Sequence, residues 1–335
     1  MENFNFDEAF RNMMESNKLK TVVVQAHINP DGDAAGSVMG LSHYLRVKYP
    51  EYQVLPYLSD KLDKGPKRRV LADPCFDPFV LPVVETPYAA IVCDTATRAR
   101  IAGEELYEAA VCTMVLDHHA SNEGYGTINN RKISESCSEN IYYMMDQTFL
   151  KKAVEADPVW NPAEYIYLGM VHDTNGFDRA DPGTMEAAAA LMKLGVSHKA
   201  CMKTLKTDTF EDMLKRMEIL KNVVRVMDGK VAYSFVDRQE KQEKNIEYAD
   251  IHAISGILRD CEDIELGFTM YEEAPDLWRC SFRSDGKWIN VNEMMLPLGG
   301  GGHAGASGLR KKTDQPKQLL EDILNRVCEM KNMEL

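Results

Sequence analysis

Short apolar, β-branched runs alternate with longer segments of helical period through the first half of the chain. Thr21 to Ala26, Gln53 to Tyr57, Ala89 to Cys93 and Cys112 to Leu116 predict strands, while Ala34 to Lys48 and Glu104 to Ala110 predict helices. Continuous apolar strands separated by helices mark an α/β fold, with a mostly parallel sheet flanked by helices. Beyond Ser138 the helical period dominates. Ser136 or Ser138 can cap Glu139 to Lys152, Pro162 opens a helix toward Val171, and the alanine-rich Thr184 to Leu194 ends at Gly195. Cys201 to Val226 is charged and helical, and strands resume at Val231 to Val236, Ile264 to Tyr271 and Arg279 to Arg283. The pattern predicts a first domain over 1–195, a helical linker over 196–225, and a smaller mixed α/β domain over 226–335 across a cleft. The opening MENFNFDEAFRNMMESNKLK reads as a short amphipathic helix.

Length and composition fit that division. With 335 residues, 44% hydrophobic and 27% charged, the chain matches a two-domain globular protein. Its formal net charge of −13 repels long polyanions, which argues against a protein that coats DNA or RNA. The longest apolar runs are strand-sized, far short of the roughly 18 residues of a membrane helix. The N-terminus lacks the basic-then-apolar order of a signal peptide. The 8 cysteines show no C-x-x-C spacing, which suits free thiols in a reducing cytoplasm.

The chemistry concentrates where predicted strands end. In VVVQAHINPDGDAAGSVMGLSHYL, from Val22 to Leu45, an apolar strand runs into His27, Asp31 and Asp33. AAIVCDTATRAR ends its strand at Asp94, VCTMVLDHHA ends at Asp117, His118 and His119, and AEYIYLGMVHDTNGF ends a helix at His172, Asp173 and Thr174. Ligands of open α/β sheets bind outside the carboxyl ends of the strands, so these residues are expected to converge. Clustered acids at strand ends cost several kcal/mol unless a cation holds them. His27, Asp31, Asp33, Asp94, His118 and Asp173 offer enough donors for two divalent ions. Oxygen donors with a minority of nitrogen suit manganese better than zinc, with magnesium or cobalt also compatible. Taken singly, an aspartate after a strand is more often a turn former or helix cap. His172 reads as structural or as a support for Asp173, and His43 and His198 read as surface or packing residues. Arg98 and Arg100 can reach a phosphate or pair with Glu104 and Glu105. Near the C-terminus, Gly299 to Gly302 precede His303 and follow Arg283, a pattern that fits a phosphate or nucleotide cradle better than a flexible linker. Arg259 reads as a further contact or as a surface ion pair.

HINPDGDA, Asp94, the DHH of 117–119, and Asp173 with Thr174 resemble, in order and spacing, the four motifs of the DHH phosphoesterase family. FRSDGKWINVNEMMLPLGGGGHAGASG resembles the GGGH element of the DHH-associated C-terminal domain. The size is most similar to the small oligoribonuclease (nanoRNase) and pAp phosphatase group. The resemblance implies that His27 and Asp31 bind a first metal, that Asp33, His118 and Asp173 bind a second, and that Asp94 bridges them. It implies that His119 faces the scissile phosphate or leaving group rather than a metal and that Asp117 supports its neighbours. Arg283, Ser284, Gly300, Gly301, Gly302 and His303 would receive the substrate's terminal phosphate or base, with Arg259 a further contact. The implied activity is hydrolysis of short oligoribonucleotides to mononucleotides, and of pAp to AMP, by two-metal activation of a bridging hydroxide. A phosphodiesterase for cyclic or linear dinucleotides is the alternative enzyme, and a nucleotide-binding regulator the alternative outside catalysis. The expected partners are a short RNA or nucleotide and a second copy in a homodimer, with no long nucleic acid and no membrane.

Overall fold

The computed structural model describes residues 4–206 and 209–333, and the chain divides into two compact units, Met1–Thr207 and Asp208–Leu335. The first unit contains α1 (Phe6–Ser16), β1 (Thr21–Gln25), α2 (Gly32–Lys48), β2 (Gln53–Tyr57), α3 (Lys64–Leu71), β3 (Ala89–Cys93), α4 (Glu104–Glu108), β4 (Cys112–Asp117) and β5 (Ile128–Arg131). Helices α5 (Cys137–Met144), α6 (Gln147–Ala156), α7 (Pro162–Asp173), α8 (Pro182–Lys193) and α9 (His198–Leu205) complete it. The strands form a five-stranded sheet in the order β2-β1-β3-β4-β5, parallel at every pairing. Every residue of β3 and β4 is buried, as their unbroken apolar sequences require when a sheet is covered on both faces. Val22, Val24, Ile91, Met114 and Leu116 point into the main core with residues of α1, α2, α5 and α7. On the other face Val23 packs with Tyr88 and Leu106, and Val92 and Val115 pack with Ile101 and Tyr107.

The chain leaves β1 toward β2 on one side and later returns to place β3 on the other. That reversal opens a crevice at the carboxyl ends of β1 and β3. Helices α2 and α7 are brought to the same crevice by small residues. A Cβ on Gly36 would lie 2.6 Å from the Tyr165 carbonyl oxygen and 2.8 Å from the Gly169 Cα. A Cβ on Gly169 would lie 2.0 Å from the Ser138 Oγ and 2.9 Å from Asp33 Oδ1. Backbone therefore touches backbone, and the first turn of α2 meets the last turn of α7.

A buried polar brace holds the other end of these helices. His43 on α2 and Asp73 beyond α3 are 2.6 Å apart between Nε2 and Oδ2, and the Tyr165 hydroxyl donates to the same oxygen at 2.7 Å. The Cys75 amide donates to Asp73 Oδ1 at 2.8 Å. Burial alone would raise the Asp73 carboxyl, but the hydrogen bonds from His43 and Tyr165 hold it at about 2. His43, Asp73 and Cys75 lie close enough to hold a metal. Both Asp73 oxygens are already taken by hydrogen bonds, so the group is a brace, and His43 is a packing residue.

Three features depart from the expected pattern. Glu139 to Lys152 is two helices, because the Asp146 side chain accepts from the amides of Thr148 and Phe149 and starts α6 afresh. Helix α3, KGPKRRVL, carries Gly65 and Pro66 in its first turn, where proline is tolerated, and so lacked a helical signature. Strand β5, INNR, is a polar edge strand with alternating exposure.

The second unit contains α10 (Phe210–Leu220), β6 (Val224–Val226), β7 (Val231–Val236), α11 (Arg238–Glu243), α12 (Tyr248–Arg259), β8 (Leu266–Ala274) and β9 (Leu277–Ser284). It ends with α13 (Val291–Met295), β10 (Gly301–His303), β11 (Ala306–Lys312) and α14 (Pro316–Lys331). Its six strands run β10-β11-β9-β8-β7-β6, with β7 and β8 parallel and the other pairs antiparallel. One face packs Phe268, Phe282 and Leu309 with residues of α13 and α14, and the other packs Ala232, Val236 and Tyr271 with residues of α10 and α12. Among the described residues no helix is long and apolar enough to cross a membrane.

Replacing Gly36 with alanine is expected to lower the unfolding free energy by about 1–3 kcal/mol, since neither backbone neighbour can yield cheaply. Asp73→Ala, which strips His43 and Tyr165 of their partner, should cost about 2–4 kcal/mol. Urea denaturation of both variants checks these values.

Candidate metal centre

Each candidate side chain at the crevice is held by a local device. His27 follows β1 and pairs with Ile101 in an isolated bridge, where the Ile28 amide donates to the Arg100 carbonyl and the Ala102 amide to the Ala26 carbonyl, both at 2.8 Å. Asp31 is the N-cap of α2. Its Oδ1 accepts from the amides of Asp33 at 2.9 Å and Ala34 at 3.1 Å. Asp33, buried in the first turn, accepts from the amides of Cys137 at 2.7 Å and Ser138 at 2.9 Å, so it also sits on the N-terminus of α5. Asp94 follows β3 with φ of 47°, a left-handed conformation that aspartate tolerates better than most residues.

These side chains converge. His27 Nε2 lies 3.6 Å from Asp94 Oδ2, and His118 Nε2 lies 3.4 Å from Asp94 Oδ1 and 3.6 Å from Asp173 Oδ2. Candidate donor atoms of His27, Asp31 and Asp94 lie within 4.8 Å of one another. The same holds for Asp33, His118 and Asp173, and for Asp94, His118 and His119. A pocket is lined by His27, Asp31, Asp94, Thr95, Ala96, Arg100, His118, His119 and Asp173, with Asp33 buried behind it.

The two histidines of the DHH sequence are oriented differently. His118 Nδ1 is 3.1 Å from the Ser134 carbonyl, which accepts its proton and leaves Nε2 to the pocket. His119 Nδ1 donates instead to Asp117 Oδ1 at 2.8 Å. Asp117 also accepts from the His118 amide at 2.9 Å and, through Oδ2, from the Asn122 side chain at 2.6 Å. Asp117 is therefore spent in fixing both histidines. Asn122, which also donates to the Thr95 carbonyl, is a supporting residue that the sequence reading passed over. Its signal was an asparagine three positions after His119. His172 packs against Gly32 and faces Asp63, with Nε2 3.5 Å from Oδ2. His198 shares a hydrogen bond with the Tyr167 hydroxyl.

The crowding shows in the acid–base balance. Burial raises the Asp33 carboxyl well above its usual range, and the charges of Asp94 and Asp173 add to it. Asp173 is pushed up to about 6 by burial and by the charges of Asp31 and Asp94, against His118. Burial works against the charged form of Asp94 too, but the facing His118 and His27 rings hold it far below the carboxylate range. His118 rises to about 10, because Asp94, Asp33 and Asp173 together outweigh the burial that opposes its charge.

A divalent cation fits this set. Asp94 Oδ1 and His27 Nδ1 are buried without a hydrogen bond, a costly state for polar atoms and a reason for Asp94 to serve as a ligand. The donors are mostly carboxylate oxygen with some imidazole nitrogen, a mixture that favours manganese, magnesium or cobalt over a thiolate-seeking ion.

Residues 21–170 match the DHH family, N-terminal domain, and residues 228–330 match the DHHA1 domain. The chain carries a DHH domain and a DHHA1 domain. It is 25% identical over 301 residues to the bifunctional oligoribonuclease and PAP phosphatase NrnA of Mycoplasma pneumoniae, covering 88% of this chain and 89% of the relative. It is 26% identical over 322 residues to the protein of the same name from Bacillus subtilis, covering 90% and 93%. The fold is similar to the crystal structure of an exopolyphosphatase-related protein from Bacteroides fragilis. That match has a TM-score of 0.78 at 19% identity and covers 97% of this chain and 96% of that one.

The DHHA1 domain carries the remaining candidates. Gly301–His303 is an edge strand paired with β11, and Gly302 has φ of 155°; a Cβ there would lie 2.4 Å from the Ala306 carbonyl oxygen. The amides of Gly300 and Gly302 donate to the Met295 carbonyl and Asn292 Oδ1, both at 2.9 Å. The glycines thus offer close backbone approach, whereas these two amides are already engaged. Asn292 is a second supporting residue the sequence reading passed over. Arg283 on β9 is next to β11, with Nη2 3.3 Å from His252 Nε2. Ser284 is buried, donating to the Ile289 carbonyl and accepting from the Gly286 amide. Arg259 ends α12 and is held by Asp260 at 2.6 Å.

Because the His118 pKa is raised, its protonation adds stability below the ordinary 6.5, and that stability is lost as pH rises through about 10. In chelator-treated DHH protein, NMR titration is expected to find the His118 ring still protonated at about pH 8. Asp94→Asn should bring its titration down toward the ordinary value.

Proposed function

We propose that this DHH-domain protein is a metal-dependent phosphoesterase that hydrolyses short oligoribonucleotides to mononucleotides and also converts pAp to AMP. The observation that carries the reading is the pair of ligand groups, His27 with Asp31 and Asp94, and Asp33 with His118 and Asp173, delivered by separate segments to one crevice. The names of the M. pneumoniae and B. subtilis relatives support it. In this reading the first group would hold one divalent ion and the second group another, with Asp94 shared between them and manganese the ion that the donor set suits. Bound ions of this kind supply an acidified water and neutralise charge on phosphoryl oxygens.

The chain's own residues would do the rest. Asp117, itself fixed by Asn122, holds His119 Nδ1 and raises the basicity of that ring. His119 would therefore hold a proton at Nε2 and pass it to the leaving oxygen. Arg283 and the Gly300 to His303 stretch of the DHHA1 domain would take the substrate's terminal phosphate or base, with Ser284 shaping the turn beside them. The net charge of −13 disfavours long RNA and leaves short substrates as the suitable class. All 8 cysteines are free thiols, which supports a cytoplasmic location, and we take the working form to be a homodimer.

The test is a panel of RNA dimers to pentamers, pAp, linear pApA and cyclic di-AMP, assayed with manganese and after chelation. Wild type is expected to release mononucleotides from the short RNAs and AMP from pAp. Asp94→Asn is expected to lose at least about 10³-fold in rate while keeping its circular dichroism. Full manganese-dependent turnover by Asp94→Asn would overturn the reading.

A further inference from the structure

The tight turn Arg98–Arg100 after β3 carries two arginines with different surroundings. Arg98 is committed to α4: Nη2 lies 2.6 Å from Glu108 Oε1, Nε lies 3.9 Å from Glu104 Oε1, and the guanidinium stands 5.5 Å from the centre of the Tyr107 ring. Arg100 lines the acidic pocket beside His27, Asp31, Asp94 and His119. Among the described residues its guanidinium makes no hydrogen bond and no ion pair.

Arg100 is nevertheless placed with care by its backbone. Its carbonyl accepts from the Ile28 amide at 2.8 Å, and the next residue, Ile101, bridges to His27. These bonds fix the Arg100 backbone at the rim of the pocket, within reach of which its exposed side chain can turn. In the phosphoesterase reading the carboxylates of Asp31, Asp94 and Asp173 are taken up by cations, and the phosphodiester's remaining anionic oxygen needs a partner of its own. A guanidinium without a protein partner on a residue of the pocket lining can supply positive charge and a planar fork that matches two phosphoryl oxygens.

We propose that Arg100 grips the scissile phosphate of the substrate, and that this contact serves any phosphoester small enough to enter, whatever its base or sugar. The proposal rests on the phosphoesterase reading above and names a residue that reading leaves idle. It separates two tasks. Arg100 would recognise the reacting phosphate, and the DHHA1 residues the end of the nucleotide.

The test uses the full chain with manganese and three substrates, bis(p-nitrophenyl) phosphate, pAp and an RNA dimer. Arg100→Gln is expected to lower kcat/KM by about 10- to 100-fold on all three, the loss of one charge-assisted contact. Arg100→Lys should recover part of that loss, since a lysine keeps the charge but not the fork. Manganese binding by calorimetry should stay within about twofold of wild type, and Arg98→Gln should stay within about twofold in rate. An active wild type whose Arg100→Gln variant keeps full kcat/KM would overturn the proposal alone. So would a loss confined to the nucleotides, or one matched by lost manganese binding. A wild type inert toward every substrate would overturn the phosphoesterase reading and this proposal with it.

Discussion

The carboxylate of Asp94 is the constraint around which the first unit is organised. It is buried at the end of a central strand, on a left-handed backbone, with one oxygen lacking any hydrogen bond and imidazoles on two sides. A charge in that position is tolerable only if positive groups reach it. His27 and His118 do so because the strands that precede them, β1 and β4, flank β3 in the sheet. Strand order and electrostatics are thus one arrangement. With the order changed, Asp94 would be stranded beside apolar neighbours.

Strands alone deliver only part of the cluster. Asp33 and Asp173 lie on helices, at the start of α2 and the end of α7, and they approach because Gly36 and Gly169 let those helices touch through their backbones. The contact explains a feature of α2 that its sequence hides. The helix is buried along nearly its whole length and has no pronounced polar face, because it is enclosed by the sheet, α5 and α7. The His43, Asp73 and Tyr165 brace anchors the same helix pair further along.

Much of this was legible in the residues. Apolar runs of fixed length identified β1 to β4, and ionisable residues at their ends identified the crevice, since buried strands and ligand-bearing strand ends leave opposite compositional marks. What was not legible had physical causes. Strand β5 is polar because it lies at an edge, α3 carries proline where helices tolerate it, and Asp146 breaks a helical run through a side-chain bond invisible to periodicity. Asn122 and Asn292 act through single hydrogen bonds to a carboxylate and a glycine amide. No spacing rule marks such partners. The choice between two fates for Arg98 and Arg100 depended on where Glu108 would fall, which only the fold decides.

The alternatives weighed for each aspartate prove not to exclude one another. Asp31 caps α2 and lines the pocket; Asp33 binds the first amides of α5 and lies within donor range of His118 and Asp173. A capping carboxylate is held by its hydrogen bonds at a fixed angle. A fixed direction is what a cation ligand needs, and a cation in reach would offset the burial that disfavours charge on Asp33. A helix start placed at a strand end therefore orients its own acids toward the crevice. The HINPDGDA segment achieves this within a single turn of chain, where an unsupported aspartate on a loop would have to be ordered by the ion itself.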